Sequence, residues 1–120
     1  MRTRPSALAA VLAVAGLSAV LAANPAPAQT EALRLTVIGA GAGVSCDEWV
    51  ATAQVDFELE QWAFGFASAV AAAAQMRDGG DPLARMDAEA VHAWLGDHCR
   101  RRPEEPLSVA LVRMVLAAAR

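Results

Sequence analysis

Cys46 and Cys99 are the only cysteines of the chain, and no other pair of residues limits its fold as much. What they do depends on the compartment they reach. Arg2 and Arg4 precede an apolar run from Ala7 to Ala23, broken only by Gly16 and Ser18, and Ala26-Pro27-Ala28 follows as a small-x-small site. A charged start, an apolar stretch and a small-residue end are the three regions of a secretory signal peptide. The run is at the short limit for spanning a bilayer. Residues 1–28 therefore read as a cleaved signal peptide, with periplasmic release and no membrane anchorage afterwards. In an oxidising compartment two cysteines read as one disulfide. The competing uses are free thiols or metal ligands. There is no Cys-x-x-Cys, and the only histidines, His92 and His98, lie off a common helical face. A bond closing a loop of about 50 residues stabilises by about 4 kcal/mol in the chain-entropy model, a large share of a small domain's stability.

Losing the leader changes the charge. Residues 1–28 carry two of the ten arginines and no acid; what remains has eight arginines against 13 Asp plus Glu, a net −5, and no lysine. Phosphate binding needs a basic patch, so neither nucleic acid nor an anionic membrane is an expected partner. About 92 residues make one small domain, near the size at which a core alone is marginal. Residues 29–45 read as a flexible lead-in and 46–120 as a single helical domain. Within the lead-in, Leu33, Leu35 and Val37 alternate before Gly39, Gly41 and Gly43. This looks like the start of a dinucleotide site. The third glycine of G-x-G-x-x-G falls on Val44, however, and about 77 residues cannot hold the nucleotide domain. The glycine run reads as a linker, and no cofactor is expected.

From Cys46 the pattern is helical. Asp47, Glu48, Trp49 and Val50 open a short helix ending near Gln54–Asp56, with acids favourable in its first turn. The longest helix is expected from Phe57 to Met76, with Leu59, Trp62, Phe66, Ala69/Val70, Ala73 and Met76 at three- and four-residue spacing. From Trp62 to Ala74 the only polar residue is Ser68. A helix apolar all round is buried, so this one is expected at the centre of the bundle, with Phe64 opposite the main stripe and touching another helix. Gly79-Gly80 suit its C-terminus. A third helix is predicted from Asp87, a plausible N-cap, to Arg102. Its inner face is Val91, Trp94, Leu95, His98 and Cys99, Arg100–Arg102 complement the C-terminal dipole, and Pro103 stops it. A fourth starts at Pro106 with Leu107, Ala110/Leu111, Met114 and Ala117/Ala118 inward. The expected fold is all-α, a small four-helix orthogonal bundle stapled by one disulfide.

No residue set carries recognisable chemistry. Ser45, Ser68 and Ser108 lie in no nucleophile context. His98 and Cys99 are helix neighbours and do not face each other. Asp97-His98 reads as a solvated helix face, and His98, four after Trp94, as a packed histidine. The chain is expected to be non-enzymatic, with no catalytic, cofactor or metal residue.

Three stretches carry a resemblance: Ser45-Cys46-Asp47-Glu48-Trp49, Gln61-Trp62-Ala63-Phe64-Gly65-Phe66-Ala67-Ser68, and Ala93-Trp94-Leu95-Gly96-Asp97-His98-Cys99-Arg100-Arg101-Arg102-Pro103. Over about Cys46 to Val112 the chain resembles the HdeA/HdeB type of small periplasmic acid-stress chaperone. The resemblance implies a non-enzymatic holdase and the Cys46–Cys99 disulfide, and no other functional residue carries over. A second similar group is the Rap1a/Tai type of exported immunity protein, which neutralises type VI secretion effectors; Gly65–Val70 and Trp94–Pro103 echo its helix and turn. Either way the implied partner is protein, unfolded clients or one effector, with a homodimer as a further assembly. Charge permits the first reading. At strongly acid pH the 13 carboxylates are largely neutral and both histidines charged, so the mature chain moves from −5 to about +11 with its new amino terminus. Such self-repulsion loosens a small domain and exposes apolar faces.

Overall fold

A computed structural model describes residues 33–120, and these form one compact unit of four helices: α1 (Cys46–Thr52), α2 (Phe57–Asp78), α3 (Ala88–Arg101) and α4 (Leu107–Ala118). The expected signal peptide and the first residues of the lead-in lie outside the described residues. There is no strand among the described residues, only an isolated antiparallel bridge between Ser45 and Pro106. The all-α disulfide-stapled bundle is therefore as expected. No described helix is long and apolar enough to cross a membrane.

Local chemistry sets the helix ends. The Asp56 carboxylate accepts from Leu59 N at 2.9 Å and starts α2; Gly79 ends it at φ +85°, a left-handed conformation that suits glycine, its N–H donating to Gln75 O. Asp87 caps α3 through Ala90 N at 2.8 Å. The start of α1 is different. Ser45 gives it no side-chain cap; the Cys46 and Asp47 amides instead donate to the carbonyls of Glu105 and Pro103 at 2.8 and 3.0 Å, and Leu107 N donates to Val44 O at 2.9 Å. The orphan donors of one helix are thus met by the corner between two others.

The helix at the centre is α4, not α2. Leu107, Ser108, Val109, Ala110, Leu111, Met114 and Val115 are all buried, and α4 touches each of the other three helices. Its inner face stops there: Ala117 and Ala118 are exposed. The buried line of α2 is Leu59, Ala63, Ala67, Ala71 and Ala74; Trp62, Phe66 and Val70 flank it half-buried, while Ala69, Ala73 and Met76 face solvent. The physical reason is side-chain size. Hydrophobic stabilisation scales with apolar area removed from water. The alanines of α2 have little to gain from burial on every side, whereas the Leu, Val and Met of α4 have much. The outer face of α2 stays wet, and α2 packs chiefly on α4.

The glycine run is built into the domain. Ala42 N donates to Gly39 O and Val44 N to Gly41 O. The Trp62 indole N–H donates to Ile38 O at 2.9 Å, and its ring stacks on Phe66 with centroids 5.0 Å apart. A Cβ on Gly41 would stand 2.1 Å from the indole. Gly41 is what lets the turn lie flat on Trp62.

Candidate functional site

Cys46 opens α1 and Cys99 lies on the core face of α3. They are bonded, with S–S 2.07 Å and Cα atoms 4.8 Å apart, and neither is exposed. The bond ties α1 to α3 directly. It does not wrap them around α2, as an α2-centred bundle would require; α4 fills that place.

Around this staple each histidine sits on an indole and against a glutamate. His92 stacks on Trp49 with centroids 5.2 Å apart, meets Phe64 in a T-shaped contact at 5.7 Å, and places Nε2 2.9 Å from Glu60 Oε1. It joins α1, α2 and α3, and Phe64 makes the interhelical contact expected of it. His98 stacks on Trp94 at 4.6 Å and places Nε2 3.0 Å from Glu105 Oε1. It is buried, not on a solvated face; Asp97, its neighbour, is exposed and pairs with Arg101.

Glu105 is the most heavily engaged charged residue. His98 reaches it from α3. Arg113 Nε donates to the same Oε1 at 3.0 Å from α4, and Arg102 donates to Oε2 at 3.3 Å from the C-cap of α3. The carboxylate is only 10 % exposed. Burial pushes its carboxyl up, but the His98 hydrogen bond, with Arg113 and Arg102, outweighs that and holds it below the ordinary glutamate range. No buried side-chain polar atom among the described residues lacks a partner. Each member of the cluster lies on a separate turn or element, so only the helix arrangement reveals it.

Ser45 and Ser68 are spent locally, and Ser108 is buried in α4. Ser45 Oγ donates to Asp47 Oδ1 at 2.5 Å, and that hydroxyl holds the Asp47 carboxyl below its usual range; Ser68 Oγ donates to Phe64 O at 2.7 Å.

The surface offers two apolar features. Along the outer face of α2 run Gly65, Ala69, Ala72 and Met76, all exposed, with Phe57 72 % and Met76 84 % accessible. On the other flank of α2 a groove of about 230 Å³ is lined by Phe64, Ala67, Leu83, Met86 and Val91. No protein-family model, curated protein or solved structure matches this chain.

Proposed function

We propose that the protein is an exported, non-enzymatic holdase of the HdeA-like kind, acting in the periplasm on unfolded proteins under acid stress. The observation that carries this reading is the apolar outer face of α2. Phe57 and Met76 stand exposed at the two ends of this strip, and an exposed apolar strip marks a place where other protein binds. Two further features support it. The acidic composition swings to strong positive charge at low pH. The buried disulfide keeps α1 on α3 while that charge loosens the rest, so apolar surface is offered without full unfolding.

The test is suppression of aggregation of an acid-denatured client by the purified oxidised protein at about pH 2–3, below the carboxylate range. Suppression that disappears at neutral pH is expected. A protein that stays compact at low pH and protects no client overturns the reading. The rival, an immunity protein of the Rap1a/Tai type, would instead co-purify with a single effector at neutral pH, using the same apolar strip or the Phe64 groove.

A further inference from the structure

Glu105 is used twice. Its backbone carbonyl accepts from Cys46 N, the first amide of α1. Its side chain gathers His98, Arg102 and Arg113 from α3 and α4. One residue therefore holds the start of α1, the end of α3 and the second turn of α4 at a single corner. We infer that Glu105 is an acid-released latch: protonation of its carboxyl unties α3 and α4 from the 103–106 corner and, through the same residue's backbone, frees the start of α1.

The argument is electrostatic. With the carboxylate ionised, one negative charge that is only 10 % exposed accepts from buried His98, half-buried Arg113 and the more exposed Arg102. Neutralising it removes the counter-charge from the basic side chains that converge on it, and the loss is costly for the two that lie out of water, His98 and Arg113. A protonated carboxyl also keeps less accepting capacity for the three donors. The other titratable groups at the corner do not replace it. From α1 come Asp47, held by Ser45, and Glu48, both exposed; from the loop comes Glu104, exposed; from α3, Asp97 is exposed and engaged with Arg101. The only charged residue of α4 is Arg113, and the Glu60 carboxylate of α2 is turned to His92.

What opens is bounded by the disulfide. Cys46 stays bonded to Cys99 when its amide lets go, so α1 swings from a fixed point on α3. The residues uncovered are those packed beneath the corner, Leu107, fully buried, and Trp94, stacked on His98. The latch does not depend on the holdase reading: it concerns amides and side chains of the isolated protein.

The experiment follows two signals in the full oxidised protein across the acid range: the Glu105 carboxyl carbon shift by NMR, and protection factors for the Cys46 and Asp47 amides. The two should move together, with protection falling about ten- to a hundredfold as the charged hydrogen bonds are lost. Glu105→Gln, which is neutral at every pH, should show that low protection already at neutral pH with its helix content retained. Asp47→Asn, altered at the same corner, should keep the acid step. Glu105 titrating while the amides stay protected overturns the latch. So does an acid step abolished by Asp47→Asn and kept by Glu105→Gln. The wild-type titration decides the matter even where Glu105→Gln fails to fold, and aggregation suppression, a separate measurement, bears only on the holdase.

Discussion

Replacing both cysteines by alanine removes the one covalent constraint on the folded chain. The loop it closes spans 53 residues, which the chain-entropy relation converts to about 4 kcal/mol lost at 25 °C. For the 88 residues from 33 to 120, total stability at ordinary values per residue is about 4–13 kcal/mol. The double variant therefore loses between a third and all of it. At about 4–8 °C per kcal/mol for a domain of this size, the melting temperature drops by roughly 15–30 °C. Urea titration of oxidised wild type and of Cys46→Ala/Cys99→Ala separates the two contributions. A lower midpoint reports the lost stability. A steeper slope reports a more open unfolded chain, the signature expected if the bond acts on the denatured state. Coincident titrations, in midpoint and slope, would refute the reasoning, because they would mean the chain is no less stable without its staple.

Three further outcomes are expected. Gly41→Ala puts a methyl into the Trp62 indole and should destabilise by about 1–3 kcal/mol, with a change in Trp fluorescence as the indole leaves Ile38 O; an unchanged urea midpoint would place the glycine turn away from Trp62. Leu111→Ala should cost about 2–5 kcal/mol because α4 is central, whereas Met76→Ser on the outer face of α2 should stay within about 0.5 kcal/mol; the reverse order in thermal melts would restore α2 to the centre. The Glu105 carboxyl is lowered in the folded state, so the stability it adds is present above the ordinary glutamate value of 4.5 and is lost as pH falls through its lower folded value; a Glu105→Gln variant that matches wild type above 4.5 and keeps the same acid decline contradicts this.

The sequence revealed the helix limits well because caps are local. Asp87, Gly79 and Pro106 each act on residues within four positions, whereas Asp56, read only as the end of the first helix, is the cap of α2. The cysteine pair was legible because two lone cysteines, with no Cys-x-x-Cys and no histidine on a shared face, have little else to do than bond. The centre of the bundle was not legible from apolar periodicity. Counting residues ranks the alanine run of α2 with the Leu, Val and Met of α4, although the buried area each can contribute differs greatly. The glycine run was misleading for a related reason: a linker and a close approach to an aromatic ring demand the same absence of a side chain, and only Trp62, on α2, tells them apart. Glu105 was hidden because its partners arrive from three places on the chain, and no spacing rule connects positions 98, 102 and 113 to 105.

The order of elements along the chain has a consequence for biosynthesis. The covalent ring from Cys46 to Cys99 contains α1, α2 and α3, while α4, the helix that fills the core, follows it. A growing chain therefore holds both thiols before it holds its interior. Oxidation at that stage would close a hollow enclosure, and α4 would have to enter a perimeter already sealed. Oxidation after α4 has docked would lock a finished packing. The timing of thiol oxidation against the appearance of α4 decides whether the bond guides assembly or records it.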